Sequence, residues 1–456
     1  MKNEITMEKL VAYSKQYGFI YQGSEIYGGL ANTWDYGPLG SRLKNNLKDA
    51  WRKRFIQERM DSYEVDPSIL MHPKVWEASG HVSSFSDPLI DCKSCKMRHR
   101  VDKLIDDFDP SVTADKMTQV EMKEYIDENN VPCPKCGKNE YTDIREFNLM
   151  FETYRGVTND NKSIIYLRPE NAQGEYVNFL NVLRSSRAKL PFGIGQIGKA
   201  FRNEITPGNF TFRTIEFEQM EYQMFCKPGE DEKLYDYFKE YGKQFYMDLG
   251  IPEEKLTYHD HDKLSHYAKA ACDIFYKFPW GFDEINGTHN RTDFDLKNHE
   301  SMSGISHHYL DPETNEKYIP YIVESTYGVD RSLLALLHNA YHEEQLETGL
   351  REVMKLHPFL APYKVGIFPL IKKPHSKKAI EVFTELSKHF MCNYDEAGSI
   401  GKRYRRNDAI GTPFSITIDD ETINNNTVTI RDRDTMEQIT LSLDEVVSYI
   451  LEKVKF

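Results

Sequence analysis

Long apolar runs are missing from this sequence: no stretch approaches the length of a membrane span, and the mean hydropathy is −0.63. The first ten residues, MKNEITMEKL, lack the apolar segment of a secretory signal. A cytoplasmic chain with no membrane partner is therefore expected. Positive charge is also in short supply, with 58 Lys and Arg against 71 Asp and Glu and a net charge of −13. That balance argues against indiscriminate nucleic-acid binding, which is mainly a phosphate-charge effect, while leaving room for a local basic groove. The densest basic cluster is Lys402, Arg403, Arg405 and Arg406, and it reads equally well as a solvated charge run. Cysteine is sparse and odd in number, seven in all, which excludes a disulfide framework. No Walker lysine motif, nucleophile elbow or HExxH occurs.

Two apparent motifs fail on context. GIGQIG at 193–198 matches a dinucleotide-binding string, but Pro191 precedes it and a strand-like KAFRNEI follows where a helix should open. The HDHD of His259 to Asp262 precedes KLSHYAKAACDIFYKF, whose spacing predicts a helix with an aspartate N-cap.

What is present is a globular composition, 39% hydrophobic and 12% aromatic over 456 residues, enough for two to four domains. TMEKLVAYSKQYGFI and SRLKNNLKDAWRKRFIQERM have helical apolar spacing, and YEVDPSILM suits a short strand. From about 164 to 345, strands and helices mix without βαβ regularity, which predicts an α+β domain: an antiparallel sheet with flanking helices. LHPFLAPYK marks a boundary near residue 360, after which strand, helix, strand, strand and helix form a separate α/β domain.

Four cysteines are arranged. Cys92 and Cys95, then Cys133 and Cys136, form two CxxC knuckles, a spacing that predicts a structural zinc ion in a charged insertion at 91–145. The stretch between them, ADKMTQVEMKEYIDENN, looks helical. Cys226, Cys272 and Cys392 have no partner pattern and suit packing.

FRNEITPGNFTFRTIEFEQMEYQMF, residues 201–225, reads as a β-hairpin with charge where a core should be. Pro207, Gly208 and Asn209 supply the turn; Arg202 and Glu204 share a face of one arm, and Arg213, Phe217 and Glu221 share a face of the other. YIVESTYGVDRSLLALLHNAY predicts a strand with Glu324 and Thr326 on one face, running into a helix that carries Arg331.

FRNE and GVDR resemble motifs 2 and 3 of the class II aminoacyl-tRNA synthetases. YGGLANTWDYGPLG, PKVWEASGH, RPENAQG, EFEQME, RTDFDL and GKRYRRNDAIGTP resemble, in order and over nearly the whole chain, the dimeric glycyl-tRNA synthetase family within that class. The resemblance implies a class II catalytic domain over 1–90 and 146–355, the zinc-knuckle insertion, and an anticodon-binding domain over 361–456. It implies ATP, Mg²⁺, glycine and tRNA(Gly) as reactants, and a homodimer through a motif 1 within YGPLGSRLKNNLKDAWRKRF.

By the same resemblance Arg202 and Arg331 are the catalytic arginines, gripping the α- and γ-phosphates of a bent ATP. Adenine lies between Phe217 and Arg331 near Glu204; Asn203, Phe212, Arg213, Ile285 and Gly328 complete the nucleotide site, and Glu284 is the Mg²⁺ ligand. Arg100, Glu170, Glu221, Arg291, Glu324 and Thr326 receive glycine, several carboxylates for the ammonium and arginines for the carboxylate. Ser325 and Thr326 stand where the family has Pro and Ser. Lys402, Arg403, Arg405 and Arg406 are assigned to tRNA phosphates. Synthetases for histidine, proline or threonine are disfavoured by RPENAQG and EFEQME, and a non-catalytic paralogue by the presence of both Arg202 and Arg331.

Overall fold

The computed structural model describes residues 5–456 apart from 113, 115–116, 157–163, 205–207, 262–263, 265–267 and 348. Its centre is a seven-stranded sheet built from β1 (Ser62–Glu64), β2 (Phe192–Phe201), β3 (Glu216–Cys226), β4 (Leu256–Asp260), β5 (Ala270–Phe278), β6 (Gly281–Thr292) and β7 (Tyr321–Gly328). The order across the sheet is β4-β5-β6-β7-β3-β2-β1, antiparallel throughout except for the β1–β2 edge pair.

Strand periodicity divides this sheet into two chemistries. On one face Met220, Tyr222 and Met224 of β3 and Val323 and Tyr327 of β7 meet the helices α1 (Pro38–Arg52), α3 (Asp231–Asp248) and α4 (Val329–Ala340). Leu43, Leu47 and Trp51 of α1, Phe238 and Phe245 of α3, and Leu333, Leu334 and Leu337 of α4 are buried there. On the other face α2 (Ala172–Val177) and the helix Phe179–Ser185 cover one end with Tyr176, Phe179, Phe192 and Phe225. The uncovered remainder of that face carries the polar side chains.

The GIGQIG string lies on β2, where small residues are required by packing. A Cβ on Gly193 would sit 1.9 Å from the Tyr222 hydroxyl, and one on Gly198 would sit 2.1 Å from the Arg168 guanidinium.

Two expectations are corrected. Residues 270–278 form strand β5, not a helix, and His259 and Asp260 lie on strand β4. Cys272, Ile274, Tyr276 and Phe278 alternate into the core, so period two prevails over a helical reading of a short apolar run. Asp262, read as an N-cap, lies outside the described residues. In the 201–225 stretch the ladder pairs Phe201 with Glu216, so both arms are shorter than expected and Arg202, Glu204 and Arg213 occupy the connection. Phe210–Phe212 forms a turn of 3₁₀ helix in it, and Pro207 of the anticipated turn falls outside the described residues.

Strands Ser86–Asp91, Arg98–Arg100 and Arg145–Asn148 make a small sheet that packs with helices Val101–Phe108 and Gln119–Glu128 around Ile90, Leu104, Ile105, Met122 and Ile126. Thr118 and Glu121 form a capping box at the start of the second helix. Beyond residue 360, β8 (Val365–Pro369), β9 (Cys392–Tyr394), β10 (Phe414–Ile418), β11 (Thr427–Asp432) and β12 (Gln438–Ser442) form a sheet of order β9-β8-β10-β11-β12. Helices Lys372–Leu386, α5 (Ile400–Ala409) and Leu443–Lys453 accompany it. No helix among the described residues is long and apolar enough to cross a membrane.

Candidate active site

The polar face of the central sheet floors a pocket. Cross-strand register sets its geometry: Glu221 of β3 lies opposite Thr326 of β7, Gln223 opposite Glu324, and Glu324 opposite His289 of β6. The Thr326 hydroxyl and the Gln219 amide each donate to Glu221 Oε1 at 3.0 Å, while Glu221 Oε2 is buried with no hydrogen-bond partner among the described residues. Glu324 is saturated by contrast. Gln223 donates to its Oε1 at 3.1 Å, and Arg291 at 3.1 Å and His289 at 2.7 Å both reach Oε2.

Arg291 is itself held by Asp295, whose Oδ2 lies 2.8 Å from Nε and Oδ1 3.1 Å from Nη2. Gln173 of α2 bridges Asp295 and Glu170, at 3.1 and 3.0 Å, and His81 approaches Glu170 at 3.4 Å.

The carboxyls of this pocket are driven apart. Burial would raise Glu324, but Arg291 and His289 outweigh it and hold the group down at about 2. Burial is likewise outweighed at Glu170, where His81 and Arg291 keep the carboxyl below its ordinary value. Glu221 has no such partner: burial first, then the charges of Glu324 and Glu170, push it well above the usual carboxylate range. Glu175 of α2, fully buried, is pushed up in the same direction by burial and then by the charges of Glu221 and Glu324, against a smaller opposing contribution from Gln223.

The other half of the pocket is built by the β2–β3 connection and the β7–α4 junction. Arg202 donates from Nε to the Pro169 carbonyl at 3.0 Å and lies 5.3 Å from the ring centres of Phe85 and Phe217. Arg331, on the first turn of α4, stands 4.4 Å over the Phe212 ring and pairs with Glu284 at 2.8 Å. Burial pushes the Glu284 carboxyl up, but Arg331 outweighs it and the group stays below its ordinary value. Arg213 reaches Glu204 at 3.3 Å across the connection. Gly328 opens the junction, and all of these groups line the same pocket as Glu170, Glu221, Arg291, Glu324 and Thr326.

Three expected site residues sit elsewhere. Ile285 alternates into the hydrophobic core, where its carbonyl accepts from Tyr246 at 2.9 Å. Asn203 is held by its backbone N–H on the Leu149 carbonyl at 2.8 Å and does not line the pocket. Arg100 does not line the pocket: it is tied to Asp102 at 2.6 Å and to Asp87 at 3.4 Å, close enough to feel the charge of Glu204. Conversely, Gln219 and Gln223 share the period-two face of Phe217 and Glu221, a pattern that could have been read in advance; His81 and Glu175 left no comparable signal.

Cys92, Cys95, Cys133 and Cys136 converge, all four sulfurs within 4.8 Å of one another. The Cys92–Cys136 and Cys95–Cys133 pairs are 3.7 Å apart. Four thiolates about 2.3 Å from a tetrahedral zinc ion would be separated by roughly 3.8 Å, so the donor set fits zinc. Left-handed Lys96 (φ 60°) and Gly137 (φ 71°) follow the two knuckles and turn the chain back on each.

The basic cluster separates on folding. Arg403 is buried on α5 and donates to the carbonyls of Pro369, Glu396 (3.1 Å) and Gly398 (2.7 Å). It supports the fold and is withdrawn from the surface set. Arg406 is clamped by Asp395 at 2.6 Å, Arg405 reaches the Leu350 carbonyl at 3.4 Å, and Lys402 is exposed.

An antiparallel sheet whose polar face joins paired arginines to a carboxylate-lined pocket, followed by a separate α/β unit, defines a class II tRNA synthetase. Residues 151–340 match the profile of the tRNA synthetase class II core domain (G, H, P, S and T), and residues 364–453 match that of the anticodon binding domain. Glycine--tRNA ligases from Clostridium kluyveri and Clostridium tetani are each 56% identical to the chain over 464 and 464 residues, covering all of both partners. The enzyme of that name from Geobacillus thermodenitrificans is 56% identical over 458 residues, 99% of this chain and 98% of its own. The chain belongs to the glycine--tRNA ligase family.

Proposed function

We propose that the protein attaches glycine to tRNA(Gly) at the expense of ATP, through a glycyl-adenylate. The observation that carries the amino-acid assignment is Glu221 Oε2, buried and without a partner at the floor of the pocket. Burial and the neighbouring carboxylates favour the protonated acid there until a cation arrives; the α-ammonium of an amino acid is that cation, and the Glu221 proton leaves to solvent as it binds. Thr326 and Gln219 already hold the other oxygen, so the carboxylate is oriented before the ligand enters. Glycine selectivity then becomes steric exclusion, which avoids the weak discrimination of about 1–3 kcal/mol per methylene.

Activation is an in-line attack of the glycine carboxylate on the α-phosphorus, with pyrophosphate as leaving group. On this reading Arg202 holds the α-phosphate and the attacking carboxylate, and Arg331 the far end of the triphosphate. Adenine would enter between Phe217 and Arg331, with Glu204 near its amino group. Positioning and electrostatics supply most of the catalysis, and no protein nucleophile is needed. Class II synthetases use ATP with Mg²⁺, which supplies charge neutralisation at the phosphates; Glu284 is the residue that would hold it. In the second step a terminal ribose hydroxyl of the tRNA attacks the adenylate carbonyl and AMP leaves.

Zinc in the four-cysteine cluster would brace the insertion, and elemental analysis of the purified protein reads it directly. A homodimer is in keeping with the sheet edge at β1, where Leu70 is exposed nearby, and sedimentation measures it. Glycine-dependent ATP–pyrophosphate exchange without tRNA tests the central reading. A comparable rate with alanine would overturn the glycine assignment.

A further inference from the structure

Glu221 and Glu324 face the same pocket, yet only one of them has an acceptor to spare. The difference is made by His289. Its Nδ1 lies 2.7 Å from Glu324 Oε2, the same oxygen that Arg291 reaches at 3.1 Å, and Gln223 occupies Oε1. Behind the imidazole stands Asp273 of β5, its Oδ1 3.9 Å from His289 Nε2 and its Oδ2 2.7 Å from His261 Nε2. Asp273 is 6% exposed, while the His289 and His261 side chains are partly exposed, at 18% and 36%.

Backbone sequence makes room for this arrangement. Gly287 lies two residues before His289 on β6, and a Cβ there would come within 3.1 Å of the imidazole and 3.2 Å of Asp273 Oδ1. On three adjacent strands, Glu324 lies directly opposite His289, and Asp273, opposite Gly287, reaches the imidazole on the diagonal.

We propose that His289, supported by Asp273, is a positioning residue for amino-acid binding: it fixes the Glu324 carboxylate against Arg291, which leaves Glu221 alone to receive the ammonium. The proposal rests on the reading of this pocket as the glycine site. Besides Glu324 and Asp273, the charged groups around the imidazole are Arg291 and Glu284 of its own strand and His261 beyond Asp273. His289 acts through Glu324, so its removal should weaken glycine binding and spare both the nucleotide and the chemical step.

The test is a kinetic split by pyrophosphate exchange on the full-length protein. His289→Leu fills the space without a donor and should raise KM for glycine about tenfold, the cost of one hydrogen bond to a charged group. kcat and KM for ATP should stay within about twofold by the same reasoning. His289→Asn, whose amide nitrogen can stand in for Nδ1, should recover most of the loss; Asp273→Asn should fall between the two. Equal effects of Leu and Asn, or a loss shared with ATP, would overturn the proposal and leave His289 as packing. Absence of glycine-dependent exchange in the unmodified protein would instead fault the glycine reading itself.

Discussion

Two regions of this protein gather arginines and carboxylates, and they use them in opposite ways. Asp408 of the C-terminal unit is fully buried between Arg431, at 2.9 and 3.1 Å, and Arg351 of the preceding strand Gly349–Met354, at 2.9 Å. Arg403 and Arg433 are buried nearby and donate to backbone carbonyls, among them Gly398, Gly411 and Leu356; Arg433 also pairs with Asp434, and Arg403 Nε has no partner among the described residues. In the candidate pocket of the central sheet, Glu221 has one oxygen without a partner and Arg202 only part of its donor set in use among the described residues. Charge density alone does not separate structure from function; the degree of saturation does. The Asp408 carboxylate is complete as folded, both of its oxygens held by arginines, whereas the Glu221 carboxyl is complete only with a ligand.

The largest effect should come from opening the closed network. Asp408→Ala leaves two arginines buried without their common partner, a change that costs about 3–5 kcal/mol. Denaturant titration measures it. Pyrophosphate exchange per folded molecule should persist at low temperature, because Asp408 touches none of the pocket residues. Removing an arginine from the open network should do the reverse. Arg202→Ala is expected to lower exchange by about 10²–10³-fold, the scale for deleting one donor aimed at developing charge. Its melting temperature should stay with that of the unmodified protein, and a large drop there would erase the distinction.

The third effect runs opposite to ordinary intuition about mutation. Burial and neighbouring carboxylates raise Glu221 in the folded state, so the native protein holds a proton that the unfolded chain gives up near its ordinary value of about 4.3. Stability contributed by such a group is present below that value and is lost as pH rises towards the folded pKa. Glu221→Gln, which never ionises, should therefore be the more stable protein by about 1 kcal/mol at pH 8, the order of the linkage free energy for one pKa unit, and should lose its advantage near pH 4. The same variant should bind glycine poorly, and added glycine should narrow the stability gap. Thermal melts across pH, with and without glycine, give all three readings.

Much of this was legible beforehand, and the failures have a common physical cause. FRNE and GVDR located Arg202 and Arg331, and period two along EFEQMEYQMF placed Phe217 and Glu221 on one face. That alternation, extended too far, also put Arg202, Glu204 and Arg213 on strands; a linear pattern cannot tell where the ladder stops and a loop begins. Ile285 adjoins Glu284 in sequence but points to the opposite side of β6, which is the reason proximity to a site residue misled. Residues 270–278 were ambiguous because a short amphipathic run serves either period until tertiary burial decides. His289 and Asp273 belong to adjacent strands that only the sheet order brings together.

The smallest effect tests the comparison within a single helix turn. Lys402 and Arg403 are adjacent on α5, one exposed and the other buried against three carbonyls. Among the described residues Lys402 has no ion pair, so its charge is free to meet an RNA phosphate. Lys402→Ala should raise KM for tRNA only a few-fold and reduce the salt dependence of binding by about one counterion, with glycine-dependent exchange unchanged. Arg403→Ala should instead lower the melting temperature, since three carbonyls lose their donors, and should alter tRNA affinity only as far as the domain loosens. A salt titration of tRNA binding separates them: a slope changed by Lys402 and unchanged by Arg403 assigns the first to the ligand and the second to the fold. Equal slopes for the two would mean that saturation in the free protein does not distinguish a binding charge from a structural one.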